Sequence, residues 1–174
     1  MGMWNKQTRF TMLVEAYSGD LYRYAWWLCH NKETAEDLVQ ETFTRAWRAL
    51  DSLQDEKAAK YWLMTTLRRE NARLYERKRP VAAAGVEPDN MPSHEVNYDT
   101  SPEAHALRQA LARLDENYRE PLLLQVIGGY SCEEIAGIMD ISASAVMTRL
   151  FRARKKMQEV LLADDGQEAE EYRV

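Results

Sequence analysis

Glycine and proline are scarce in this chain: its 174 residues include 7 glycines and 5 prolines. An all-β fold needs many tight turns, which these residue types supply, so their scarcity argues against such a fold and favours helices. Long apolar runs are also missing, since no stretch approaches the roughly 18–20 residues of a membrane span. The opening residues lack the charged-then-apolar pattern of an export signal. We therefore expect a cytoplasmic protein without membrane insertion.

Cysteine is rare, with two residues, Cys29 and Cys132. They lack the spacing of a CxxC motif, and His30, which follows Cys29, points elsewhere because adjacent side chains on a helix diverge. The pattern predicts free thiols in a reducing compartment, no metal site and no cofactor.

Residue sets typical of catalysis are missing as well. The chain shows no Ser/His/Asp set, no glycine loop for phosphate and no paired carboxylates in a plausible cleft. The adjacent acids Glu133 and Glu134 are better explained by the start of a helix. We therefore predict that the protein is not an enzyme.

The charges of the chain are segregated. The net charge of −5, from 23 basic and 28 acidic residues, argues weakly against nucleic-acid binding. However, residues 68–79 hold six basic and two acidic residues, and residues 149–156 hold five basic residues and no acid. Residues 81–103 carry five acids and no Lys or Arg, and residues 159–174 carry six acids against Arg173. Two basic patches in an acidic chain need an explanation of their own.

Apolar residues recur at helical intervals through the first half of the chain. Ser18-Gly19-Asp20 leaves open whether the first of these helices is continuous or divided, residues 51–57 read as a polar loop, and Pro80 stops the last helix. Helices are predicted over residues 9–30, 32–50 and 58–78.

Residues 80–102 differ in composition, with four prolines and few periodic apolar residues. This segment predicts a flexible acidic linker. The fold class is therefore all-α, with two small helical domains on either side of the linker. The predicted segments are domain 1–79, linker 80–102, domain 103–162 and acidic tail 163–174.

The second half predicts four helices, over 103–114, over 117–127, from the Ser131 cap to Met139, and from about Ser142 to Leu161. Gly128-Gly129 ends the second of these, and Ser131 with Glu134 has the spacing of a capping box.

Residues 132–150 have the pattern of a helix-turn-helix. Ala136 is small enough to allow a close helix crossing, and Asp140 stands where the turn favours a left-handed backbone, which aspartate tolerates better than most residues. The crossing would bury Ile135, Met139, Ile141, Val146 and Leu150. A helical hairpin inside a core is the alternative, and it leaves the following basic residues unexplained.

The second helix of this motif is placed like a reader of the DNA major groove. Its first turns expose Ser144, Ala145, Met147, Thr148 and Phe151, which suit base edges. The basic residues that follow suit phosphates or guanine, although a run of charge on a solvated face would look the same. They are Arg149, Arg152, Arg154, Lys155 and Lys156.

Several motifs together resemble the extracytoplasmic-function subfamily of bacterial sigma-70-type RNA polymerase sigma factors. Region 4 of that family resembles residues 118–124 (YREPLLL), 130–136 (YSCEEIA) and 148–156 (TRLFRARKK). Region 2 resembles residues 21–25 (LYRYA), 35–43 (AEDLVQETF), 46–47 (AW) and 61–63 (YWL). The resemblance covers nearly the whole chain outside the linker and the tail.

The resemblance implies a factor that binds core RNA polymerase and directs promoter recognition, strand opening and transcription initiation at a specific set of genes. The implied partners are the polymerase, through the clamp helices of its largest subunit and its flap, promoter DNA, and an anti-sigma factor as a further candidate. The implied polymerase-binding residues are Asp37, Gln40, Glu41, Arg45 and Trp47.

The resemblance also assigns the two basic patches to DNA. The residues implied for the −10 element are Arg68, Arg69, Asn71, Arg73, Tyr75, Arg77 and Lys78. Many relatives carry an Arg-Asn pair and a later aspartate where this chain has Arg68-Arg69 and Arg73, so the family's −10 sequence preference does not transfer directly. The residues implied for the −35 element are Ser144, Met147, Thr148, Arg149, Phe151, Arg152, Arg154, Lys155 and Lys156.

Two other functions stay open from the sequence. A stand-alone helix-turn-helix regulator would explain residues 103–160 but not the region-2 motifs, and it would bind promoter duplex without polymerase. A helical adaptor that binds an anti-sigma factor by mimicry would be expected to lack the basic residues 68–79, which are present.

Overall fold

The computed structural model describes residues 5–55, 58–77 and 99–171, with side chains described as far as residue 163 in the last range. Within these ranges the protein has seven α-helices, one short 3-10 helix and no strand, so the all-α class is confirmed. The chain divides into two compact units, Met1–Ala84 and Gly85–Val174. Residues 80–98 of the predicted linker lie outside the described residues.

The first unit contains three long helices, α1 (Lys6–Cys29), α2 (Lys32–Ala49) and α3 (Ala59–Arg77), with a 3-10 turn at Leu50–Ser52 after α2. Asn31 starts α2, because its side chain accepts a hydrogen bond from the Thr34 backbone N–H at 2.8 Å. Each pair of helices packs together around residues that are at most 1 % exposed. These residues include Leu21, Tyr24, Leu38, Leu63, Met64 and Leu67.

Helix α1 is continuous through Ser18-Gly19-Asp20, which resolves the choice that the sequence left open. A glycine inside a helix costs about 1 kcal/mol relative to alanine. Leu21 and Tyr24, which follow, are fully buried, and burial of one such side chain is worth about 1.5–3 kcal/mol, which outweighs that cost. Asp20 adds an ion pair to Lys60 of α3 at 2.7 Å and one to Arg23.

We expect Asp20→Asn to destabilise the protein by on the order of 1–2 kcal/mol at pH 7. Burial raises the pKa of the Asp20 carboxyl, but hydrogen bonds and charge from Lys60 and Arg23 outweigh it and hold the pKa below its ordinary value of 3.8. A lowered carboxyl pKa stabilises the fold above the unfolded value and loses that effect as pH falls through the folded value. The difference in unfolding free energy between wild type and variant, measured with urea, should therefore shrink below pH 3.8. A difference independent of pH would contradict this.

The second unit contains α4 (Pro102–Ala112), α5 (Glu116–Gly128), α6 (Cys132–Met139) and α7 (Ala143–Glu171). The predicted end of α5 is confirmed, since Gly129 caps it with a left-handed backbone at φ 68°. The capping box before α6 is confirmed too: Glu134 N–H donates to Ser131 Oγ at 3.2 Å, and Ser131 N–H donates to Glu134 Oε2 at 2.8 Å.

The helix-turn-helix is formed by α6, α7 and the turn between them. Asp140 adopts the left-handed conformation at φ 55°, and its N–H bonds to the carbonyl of Ala136. Ile135, Val146 and Leu150 are at most 2 % exposed at the crossing. Further along the same side of α7, Ala153 and Met157 pack with Ala110 and Leu114 of the α4 region. The buried side of α7 is thereby anchored first by α6 and then by the α4 region.

Helix α7 is ten residues longer than the sequence predicted, since it runs to Glu171 rather than Leu161. The predicted helix ended at Leu161 because the periodic apolar residues end there. Residues 162–171 contain no proline, and six of the ten are alanine, glutamine or glutamate, which favour helix without needing a packed face, although Asp164, Asp165 and Gly166 do not. The predicted acidic tail 163–174 therefore continues α7 as far as Glu171.

Candidate functional site

A polar groove of about 540 Å³ lies between α2 and α3 in the first unit. Four of the five residues implied for polymerase binding line it from α2, because spacings of three and four bring side chains to one helix face. They are Asp37, Gln40, Glu41 and Arg45, and the other lining residues are Leu38, Thr44, Glu70, Arg73 and Leu74. The groove thus joins residues implied for polymerase with Arg73, which is implied for DNA.

Four charged side chains of alternating sign cross this groove in the order Glu41, Arg45, Glu70, Arg73. Arg45 Nε lies 3.0 Å from Oε1 of Glu41 and 3.0 Å from Oε1 of Glu70. The buried Arg45 Nε nevertheless completes an aligned hydrogen bond with no described atom. Arg73 Nη1 donates to Glu70 Oε1 at 2.9 Å. Oε1 of Glu70 therefore lies within ion-pair distance of both Arg45 and Arg73.

Trp47, the fifth residue implied for polymerase binding, lies apart from the groove. Its ring packs edge-on against Phe10 of α1 at 5.2 Å between centroids, and Lys6 Nζ lies 5.0 Å above it. The ring remains 37 % exposed. The structure thus brings four of the five implied residues together.

The residues implied for the −10 element differ in exposure along α3. Arg69 and Arg73 are exposed, Tyr75 is 50 % exposed and Arg68 is half-buried. Asn71 is only 8 % exposed, so it sits within the packed side of α3. The Arg77 side chain and Lys78 lie outside what the structure describes.

Sequence reasoning missed Glu70, which was only counted as an acid within a basic stretch. Its spacing of three from Arg73 could have indicated a pair on one helix face. Its contact with Arg45 on α2 depends on tertiary packing, for which the sequence holds no local signal.

The residues implied for the −35 element all lie outside the buried side of α7. Val146, Leu150 and Ala153 form the buried side. The side turned away from the core carries exposed residues, namely Ser144, Thr148, Phe151, Arg152 and Lys155. Phe151 is 69 % and Met147 55 % exposed, which is unusual for large apolar side chains and suits contact with a partner.

A second polar groove of about 680 Å³ runs beside the start of α7. Ser144, Thr148, Arg149 and Arg152 line it from α7. Asp115, Asn117 and Tyr118 line it from the start of α5. Arg149 and Arg152 are therefore placed beside hydroxyl and amide groups that could share contacts with a nucleic acid.

Two of the implied cations are held by α5 instead of pointing away from it. Lys156 Nζ lies 3.5 Å from Asp115 Oδ2 and 4.6 Å from the centroid of the Tyr118 ring. Arg154 donates a hydrogen bond to Gln125 Oε1. These contacts distinguish Lys156 and Arg154 from Lys155, which lies on the outward side.

An apolar groove of about 460 Å³ in the second unit was not identified from the sequence. Val126 is 74 %, Leu162 62 % and Leu107 51 % exposed along it. The packed structure shows that these three residues remain outside the core of the second unit.

The described residues offer no group of three or more His, Cys, Asp or Glu side chains that could hold a metal ion. Cys29 and Cys132 are free, as predicted, and burial raises the pKa of the Cys29 thiol. In the part of the chain that the structure covers, every helix is too short or too polar to cross a membrane.

Two family models match the chain, one for each unit. The model of sigma-70 region 2 matches residues 13–80, which include α2 and α3 with the groove between them. The model of sigma-70 region 4 matches residues 104–157, which include the helix-turn-helix.

Proteins similar to this chain along most of its length come from several bacteria. It is 32 % identical over 149 residues to the ECF RNA polymerase sigma factor EcfG of Rhodopseudomonas palustris, covering 85 % of this chain and 82 % of that protein. It is 32 % identical over 152 residues to the ECF RNA polymerase sigma factor SigM of Bacillus subtilis, covering 84 % and 91 %.

Solved structures are similar as well. The chain matches the sigma factor RpoE of Bartonella quintana, solved in complex with the anti-sigma factor NepR, with a TM-score of 0.64 and 27 % identity over 91 % of this chain and 97 % of the other. CnrH, solved with the cytosolic domain of CnrY, matches with a TM-score of 0.64 and 27 % identity over 92 % and 91 %.

Proposed function

This chain belongs to the extracytoplasmic-function subfamily of bacterial sigma-70-type sigma factors, and we propose how its residues divide the work of that family. As a sigma factor it is a transcription initiation factor that binds core RNA polymerase and promoter DNA. We propose that α2 binds the polymerase, that α3 acts on the −10 element and that α7 reads the −35 element. We further propose that the protein acts in the cytoplasm and that the polymerase supplies the catalysis.

The observation that carries this proposal is that acceptor groups and exposed cations of the first unit lie on different helices. Asp37, Gln40 and Glu41 present acceptor groups on one face of α2. Arg69 and Arg73 present exposed cations on α3. Carboxylates suit a cationic protein surface, and arginines suit the phosphates of DNA. The two faces can therefore engage two different partners at once.

Run-off transcription with purified core polymerase and a genomic promoter library tests the proposal. We expect transcripts from a limited set of promoters only when this protein is added. A matched binding assay with promoter duplex and no polymerase should give much weaker binding. Tight, sequence-specific duplex binding without polymerase, together with an absence of transcripts, would favour a stand-alone regulator instead.

Replacing Arg73 by alanine should reduce promoter melting by roughly one to two powers of ten, because a charged hydrogen bond to a phosphate is worth about 1.5–3 kcal/mol. Formation of the closed complex should be largely unchanged, since we assign initial −35 recognition to α7. Permanganate reactivity of unpaired thymines measures melting, and footprinting measures the closed complex. If both fall in parallel, the division of labour between α3 and α7 is wrong.

An anti-sigma factor is a second proposed partner, supported by relatives that were solved with an anti-sigma factor or a cytosolic partner domain. The apolar groove of the second unit has the chemistry to accept the apolar face of an amphipathic helix. The polymerase flap, a further proposed contact, would compete for the same groove if it binds there in the same way.

A further inference from the structure

Glu70 has no role in the division of labour proposed above, although it lies at the centre of the groove between α2 and α3. Its side chain is 11 % exposed, and Oε1 accepts ion pairs from Arg45 and Arg73. A carboxylate withdrawn from water is costly unless a cation or hydrogen-bond donors compensate it. Glu70 therefore needs at least one of the two arginines, but it does not need both.

The four charges from Glu41 to Arg73 can pair in two ways. In the first, Arg45 pairs with Glu41 and Arg73 pairs with Glu70. In the second, Arg45 pairs with Glu70 alone, and both ends of the row, Glu41 and Arg73, are free for other partners. Arg45 lies equally far, at 3.0 Å, from both carboxylates, and its Nε completes a hydrogen bond with neither. A small movement of Arg45 is therefore enough to pass from one pairing to the other.

We propose that Glu70 and Arg45 are positioning residues that couple polymerase binding at Glu41 to DNA binding at Arg73. This inference rests on the proposed roles of α2 and α3. A cation of the polymerase that binds Glu41 releases Arg45 to Glu70, and Glu70 then holds Arg73 less tightly. A DNA phosphate that binds Arg73 favours polymerase binding in the same way: Glu70 then pairs with Arg45, and Glu41 becomes available to the polymerase. This follows because coupling between two binding sites is reciprocal.

The coupling predicts an effect that neither binding face alone would produce. Arg73→Ala should tighten binding to core polymerase in the absence of DNA by about fivefold, at the low end of typical coupling between sites. Without Arg73, Glu70 draws Arg45 to itself and leaves Glu41 available. Fluorescence titration of the full-length protein with core polymerase measures this affinity.

Two further variants separate this mechanism from general charge effects. Arg69→Ala removes the same charge from an exposed position of α3, so a long-range electrostatic effect would alter core affinity equally in both variants. Glu70→Gln keeps the shape of the side chain but removes its charge. In the Glu70→Gln background, Arg73→Ala should no longer tighten binding, so the two substitutions should be strongly non-additive.

The outcomes separate the inference from the proposed function. If Glu41→Ala leaves core affinity unchanged, the polymerase-binding face on α2 is wrong. If Glu41→Ala weakens binding but Arg73→Ala and Arg69→Ala have equal effects, only the coupling is wrong. Circular dichroism monitors folding. If Glu70→Gln does not fold, the comparison of Arg73→Ala with Arg69→Ala alone decides whether the coupling exists.

Discussion

Replacing Gln40 and Glu41 together by alanine should weaken binding to core RNA polymerase by about 1.5 to 3.5 powers of ten. The loss corresponds to the 2–5 kcal/mol typical of truncating one partner of a buried, hydrogen-bonded charge pair at an interface. Both side chains line the groove from α2 and are exposed or half-buried in the free protein, so the fold does not depend on their packing. Competition with a labelled sigma factor for core polymerase measures the effect.

Glu36→Ala is a matched control for this variant. Glu36 is an exposed carboxylate of the same helix, but it does not line the groove and is paired with Lys32 at 3.9 Å. We expect Glu36→Ala to assemble nearly as well as wild type. Unchanged assembly of the Gln40/Glu41 double variant, with a normal circular dichroism spectrum, would show that the polymerase binds elsewhere.

Arg152→Ala should cost on the order of 1–3 kcal/mol at the preferred −35 element and reduce discrimination between −35 sequences. Arg152 lies on the outward side of α7 and lines the polar groove within the first three turns. Lys155, one turn further along the helix, should contact the DNA backbone. Lys155→Ala should therefore weaken all sequences about equally and lower the salt dependence by roughly one unit.

The comparison uses holoenzyme bound to promoter fragments that differ only in the −35 element, at several salt concentrations. Lys156→Ala is the control, because Lys156 Nζ already lies beside Asp115 and over the Tyr118 ring at the protein surface. Its effect on DNA affinity should be smaller than that of Lys155→Ala. If Arg152→Ala weakened every sequence alike and Lys155→Ala changed their ranking, α7 would face the DNA with a different side.

The sequence predicted the parts of this protein that depend on neighbouring residues. The apolar periodicity of α2, the capping box at Ser131 and Glu134, and the left-handed turn at Asp140 are all set within about one helical turn of sequence. The all-α fold class and the helix-turn-helix could be predicted for that reason.

The remaining features depend on contacts between distant residues. The continuity of α1 through Gly19 depends on burial of the residues that follow it and on an ion pair between Asp20 and Lys60. The motif placed Trp47 with the polymerase-binding residues, but its ring faces Phe10 on another helix. Arg154 belongs to a run of similar cations, and only packing against α5 sets it apart. One-dimensional spacing cannot distinguish such neighbours.

The short links between helices have a consequence for how the protein folds. Two residues separate α1 from α2, and three residues separate each pair of successive helices from α4 to α7. Contacts between successive helices therefore close only short loops, which keeps the entropy cost of forming them small. Helical proteins of this kind fold in microseconds to milliseconds. Since synthesis adds only about 5–20 residues per second, the first unit has time to fold on the ribosome before the helix-turn-helix is complete.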